Sequence, residues 1–94
     1  MATLAADELD RRLQELPEWR SEGSEEIVRD LRFEDFAGAV AFVNRVAELA
    51  EQANHHPDIL IHGWNRVRLT LSTHSEGGVT DADLALAARI DGLR

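Results

Sequence analysis

The sequence predicts an α+β fold, a four-stranded antiparallel sheet with helices packed on one face, in the order α-β-β-α-β-β-α. Two observations carry this reading. Two pairs of short extended segments are each joined by a turn signal, Glu22-Gly23-Ser24 in the first pair and Gly63-Trp64 in the second. Three stretches have helical spacing of apolar residues, and the middle one, Glu34 to Ala53, is long enough to cross a whole sheet. Hairpins separated by a helix favour antiparallel pairing, with the helices collected on one face and the other left open.

Each element has its own reason. Leu4, Leu9, Leu13 and Leu16 form a partial apolar stripe, so a first helix is expected up to about Leu16, capped by Thr3 or Asp7 and stopped by Pro17. Trp19 opens a short strand. From Glu26 to Phe33, Ile27, Arg29, Leu31 and Phe33 fall on one side and Val28, Asp30 and Arg32 on the other. In the long helix, Phe36, Val40, Val43, Ala47 and Ala50 make one apolar row, and Phe42, Val46, Leu49 and Ala53 a second. Two rows exceed what one sheet face requires. Either the stripe is wide and deeply buried, or one row packs on the sheet and the other, through residues such as Phe42, Val46 and Leu49, on a second subunit. Asp58 to His62 and Asn65 to Thr73 read as strands, the second with Val67, Leu69, Leu71 and Thr73 on one face. Thr80 is the expected cap of the last helix. Asp83, three residues on, makes an acidic capping box, and Leu84, Ala87, Ala88 and Ile90 supply the apolar side.

Composition bounds the function. A chain of 94 residues is the size of one domain, so residues 1–94 are read as a single unit. A domain of that size buries only about 60–65% of the surface its unfolded chain exposes. That thin core makes association plausible. The formal net charge of -8 argues against direct nucleic-acid binding. With no cysteine there is neither a disulfide framework nor a thiolate metal site. No signal-peptide pattern and no membrane-length apolar run occur, so a cytoplasmic location is expected.

Four histidines are present: His55, His56, His62 and His74. Pairing Asp58–Thr73 as a hairpin brings the residues before its first strand beside the end of its second. His55, His56 and His74 then converge at one end of the sheet. Imidazoles titrate near neutrality and suit proton transfer. Glu51, about one helical turn before His55, is placed to orient an imidazole. Pro57 restricts His56 to extended backbone. A three-histidine zinc site is disfavoured, because adjacent residues of an extended chain point to opposite sides and no HExxH motif occurs. No metal and no cofactor are therefore expected. His62 reads as a surface strand residue.

The strings Glu51-Gln52-Ala53-Asn54-His55-His56-Pro57, Trp64-Asn65-Arg66-Val67 and Leu69-Thr70-Leu71-Ser72-Thr73-His74, with Asp83 nine residues after the last histidine, resemble the pterin-4a-carbinolamine dehydratases. Trp19 and Phe33-Glu34-Asp35-Phe36 extend the resemblance over nearly the whole chain. It implies dehydration of a 4a-hydroxytetrahydropterin to quinonoid dihydropterin and water, in recycling of tetrahydrobiopterin. It implies His55, His56 and His74 as the catalytic histidines, with Glu51, Asp83 and Trp19 in supporting or substrate-binding places. Position 54 is Asn here where some members carry Asp, which weakens any carboxylate role there. The resemblance also implies a homodimer or homotetramer. It carries an alternative function, a non-catalytic interaction module that serves as dimerisation cofactor of a transcription factor, and for some relatives a role in pterin handling for molybdenum-cofactor proteins. A flat pterin would suit stacking on Trp19, although a core position is the commoner fate of a tryptophan.

Overall fold

The computed structural model describes residues 2–23 and 25–93. Its elements are α1 (Ala6–Leu13), β1 (Arg20–Glu22), β2 (Glu26–Arg32), α2 (Phe36–Ala53), β3 (Asp58–His62), β4 (Arg66–Leu71), a short 3-10 turn at His74–Glu76, and α3 (Asp81–Asp91). The strands form one antiparallel sheet in the order β1-β2-β4-β3. The predicted α+β class and element order hold. The first hairpin turn falls where expected as far as Gly23, while Ser24 lies outside the described residues.

The core forms because the strands alternate. Ile27 and Leu31 of β2 and Val67, Leu69 and Leu71 of β4 all turn to the helices, where they meet Leu9, Phe42, Val46, Leu86 and Ile90. Leu86 of α3 is fully buried and Ala88 is exposed, so the inward stripe of α3 runs Leu84, Leu86, Ala87, Ile90 rather than through Ala88. Arg29 also points inward, and its charge is met by Asp91 at 2.5 Å. The same Asp91 oxygen accepts from the Trp19 indole N–H at 2.9 Å. Trp19 is 3% exposed, so it is a core residue whose ring faces are already covered, not a platform for stacking.

Several local expectations need correction. Neither Thr3 nor Asp7 caps α1. The N-cap is Ala5, which has no capping side chain, and the Asp7 carboxylate accepts only from the next N–H. The helix ends at Leu13, before Pro17, in a run of tighter turns through Leu16. On α2, Phe42 and Val46 are buried within the chain, at 5% and 0% exposure. The other row is divided, with Phe36 and Ala47 exposed, Val40 and Val43 half-buried and Ala50 buried, and in the second row Leu49 is half-buried and Ala53 exposed. The tight face belongs to the sheet because small Ala39 and Ala50 flank Phe42 and Val46 there and permit close approach.

Candidate active site

His55 is delivered by the way α2 stops. Asn54 adopts the left-handed conformation at φ 50°, which asparagine tolerates better than most residues. The Asn54 N–H then bonds the Glu51 carbonyl at 3.2 Å, and the His55 N–H bonds the Ala50 carbonyl at 3.1 Å. This is a Schellman closure of the helix. It gives position 54 a structural task that needs no charge, and it turns His55 back toward α3.

There His55 Nε2 meets Asp83 Oδ1 at 2.5 Å. Asp83 is 0% exposed. A buried carboxylate is costly unless its oxygens are satisfied. Its Oδ2 accepts from the Thr80 backbone N–H at 2.9 Å and from the Thr73 hydroxyl at 2.8 Å. The predicted capping box at Thr80 and Asp83 is present, so the carboxylate also sits at the positive end of the α3 dipole.

The other two histidines are more exposed. His56 Nε2 contacts Glu51 Oε2 at 2.5 Å, with both side chains more than half exposed. Glu51 thus serves His56 rather than His55, whose partner comes from the far end of the sequence. His74 follows Thr73 directly, opens the 3-10 turn and is exposed, with no hydrogen bond from its ring to any described residue. The hairpin register Asp58↔Thr70 sets the start of β3 beside the end of β4, as the sequence implied. The His55–Asp83–Thr73 chain then ties the α2 terminus to the residue before His74. The six candidate residues therefore divide. His55 and Asp83 are in contact and tied by Thr73 to the chain just before His74, His56 and Glu51 form an exposed pair, and Trp19 lies apart in the core. Among the described residues no group of three His, Asp or Glu side chains is arranged to hold a metal ion.

The roles of Thr73 and Thr80 beside Asp83 were not assigned from sequence. Thr80 was legible as a cap, but its contact with Thr73 joins residues seven apart across a loop, and only the fold creates it. His62 is half-buried at the end of β3, away from this assembly, opposite Arg66. A concavity of about 450 Å³ lies between α1 and α3, lined by Arg12, Leu16, Asp81 and Leu84 among others, and includes none of the histidines.

Known proteins share this sequence and fold over most of the chain. A family model described as Pterin 4 alpha carbinolamine dehydratase matches residues 2–93. A Chloroflexus aggregans protein, provisionally named a pterin-4-alpha-carbinolamine dehydratase, is 52% identical over 91 residues, covering 97% of this chain and 96% of its own. A protein of Gloeobacter violaceus with the same provisional name is 50% identical over 93 residues, covering 96% of this chain and 100% of its own. Among solved structures, a transcriptional coactivator/pterin dehydratase from Brucella melitensis superimposes with TM-score 0.89 at 37% identity, over 97% of each chain. A pterin dehydratase-like protein described as a RuBisCO assembly factor in the alpha-carboxysome gives TM-score 0.67 at 31% identity, over 80% of this chain and 87% of that one.

These matches span nearly the full length and define the class that the fold and the histidine assembly had indicated. The chain belongs to the pterin 4 alpha carbinolamine dehydratase family.

Proposed function

We propose that this protein dehydrates a 4a-hydroxytetrahydropterin to the quinonoid dihydropterin, by histidine general acid–base catalysis and without metal or cofactor. The observation that carries the reading is the contact of His55 with the buried Asp83, whose other oxygen is bonded by Thr73, the residue before His74. A carboxylate so placed stabilises the imidazolium that forms when His55 holds a proton. The reaction needs two proton movements. The 4a-oxygen must be protonated to leave as water, and the N5 proton must be removed as the C4a–N5 double bond forms. Exposed His74 and His56 are accessible to a ligand at the surface, and His56 is oriented by Glu51. Tetrahydrobiopterin recycling is the setting this chemistry fits. Loss of the 4a-hydroxyl from freshly generated carbinolamine, followed spectroscopically with and without chelator, tests the proposal. Acceleration by the purified chain that survives chelation is the expected result.

A second reading is favoured by a specific observation. Along the α2 row Phe36, Val40, Val43 and Ala47, Phe36 at 56% exposure and Ala47 are exposed in the single chain and Val40 is half-covered. Such surfaces mark interfaces. One structural relative is described as a coactivator and another as an assembly factor. A homodimer or homotetramer through this row is the simpler use of it. A role as a protein-interaction module is the alternative, and inactivity toward carbinolamine together with intact folding would favour it.

A further inference from the structure

The geometry points to Thr73 and Thr80 as positioning residues that fix the proton of neutral His55 on Nε2 and so leave its Nδ1 as a bare proton acceptor. The number of available protons decides the direction of each bond. A threonine hydroxyl has one proton to give. The Thr73 hydroxyl gives its proton to Asp83 Oδ2 at 2.8 Å. Its contact with the Thr80 hydroxyl, also 2.8 Å, must therefore be accepted, so Thr80 is the donor there. The Thr80 oxygen in turn accepts from the Ala82 backbone N–H at 3.2 Å. The Thr80 backbone N–H, which can only donate, points at the same Asp83 oxygen at 2.9 Å.

Every bond in this chain runs toward Asp83. A proton on Oδ2 would reverse it and leave the Thr80 hydroxyl proton with no acceptor among the described residues, at a position 0% exposed. With Oδ2 confined to accepting, the proton of the 2.5 Å contact lies between Oδ1 and Nε2, and because an imidazole nitrogen is ordinarily a stronger base than a carboxylate it rests on His55 Nε2, with Asp83 an acceptor on both oxygens. Nothing among the described residues bonds His55 Nδ1. The two threonines touch no reacting atom and act only through Asp83.

The consequence for catalysis rests on the dehydratase reading: His55 Nδ1 takes the N5 proton. The N5–H electron pair becomes the second C4a–N5 bond, the C4a–O bond breaks with its pair on oxygen, and that oxygen leaves as water with a proton from another acid of the site. Asp83 then faces an imidazolium whose charge it already compensates.

The test uses the full chain with ¹⁵N-labelled histidine, at alkaline pH. Two-bond ¹⁵N–¹H spectra of the wild type are expected to show the Nε2–H tautomer for His55. Thr73→Val, which keeps the shape and removes the donor, is expected to mix the tautomers and lower kcat roughly tenfold, the size of one lost hydrogen bond to a charged group, with KM little changed. Thr73→Ser restores both. Thermal unfolding shows whether each variant is folded. An Nδ1–H tautomer in the wild type overturns the inference even if Thr73→Val does not fold, and so does a folded Thr73→Val that keeps the wild-type tautomer. A wild type with the Nε2–H tautomer and no turnover would defeat the dehydratase reading while leaving the positioning inference standing.

Discussion

Asp83 is the residue on which the site turns, because it is both the N3 member of the α3 capping box, bonded back to the Thr80 N–H, and the partner of His55. Asp83→Asn places an amide where an acceptor is required on both oxygens. It is expected to lower kcat on the order of 10²-fold, as loss of a group supporting acid–base catalysis does. The helix should lose about 1 kcal/mol of capping as well. Steady-state kinetics and urea unfolding of the same variant separate the two effects. Trp19 makes the opposite prediction. Its indole N–H bonds Asp91 beside Arg29 inside the core. Trp19→Phe should therefore cost about 1 kcal/mol of stability from the lost hydrogen bond, with KM unchanged. A rise in KM without a change in stability would restore a stacking role. The three histidines, Asp83 and Glu51 were all legible as candidates in the sequence. Which carboxylate serves which imidazole was not, because the Glu51 pairing depends on the sharp reversal at Asn54, and the Asp83 pairing joins residues 28 apart.

The strands, the end of α2 at Ala53 and the start of α3 were readable because alternation and caps are local signals, whereas α2 begins at Phe36 under an Asp35 cap rather than at Glu34. The strand Asp58–His62 and the Thr80 cap appear where the pattern placed them. The start of α1 was not readable, since Ala5 caps nothing and the segment is held instead by tertiary contact, with the Leu4 N–H bonded to the Val79 carbonyl at 2.9 Å. Nor could the sequence say which row of α2 faces the sheet, because both rows are apolar and the choice depends on how closely the backbones can approach. The open face of the sheet carries an element-level device of its own. Asp30 of β2 accepts from Arg68 of β4 at 2.8 Å and from Arg20 of β1 at 2.9 Å, tying three strands together. The Arg68 guanidinium, with help from Arg20, holds the Asp30 carboxyl below its usual range. Because the folded-state pKa is lowered, this contribution is present above the ordinary aspartate pKa of about 3.9 and is lost as pH falls through the folded value. The group is exposed, so the effect is small. Asp30→Asn should show a shallower loss of stability than wild type between pH 5 and pH 2 in denaturant unfolding. Parallel acid profiles would mean the three-strand tie contributes nothing.

At the scale of the whole molecule, a single chain leaves Phe36 and Ala47 exposed and Val40 and Val43 half-buried, while Phe42 and Val46 are spent in its core. Two substitutions on this helix should therefore behave differently. Phe36→Asp, at a position 56% exposed, is expected to lower the assembly state seen in sedimentation while the chain stays folded. Val46→Asp buries an unpaired carboxylate at a position 0% exposed and is expected to unfold the chain. A monomeric wild type at micromolar concentration would rule this row out as an interface between copies. The central claim is that His55, with His74 nearby, performs proton transfer on a pterin carbinolamine. The measurement that tests it most directly is the rate of 4a-carbinolamine dehydration by the wild type and by the His55→Ala, His74→Ala double variant, each shown to be folded. Clear acceleration by the wild type and a loss on the order of 10²–10⁴-fold in the variant are expected. Full activity in the double variant would contradict the claim.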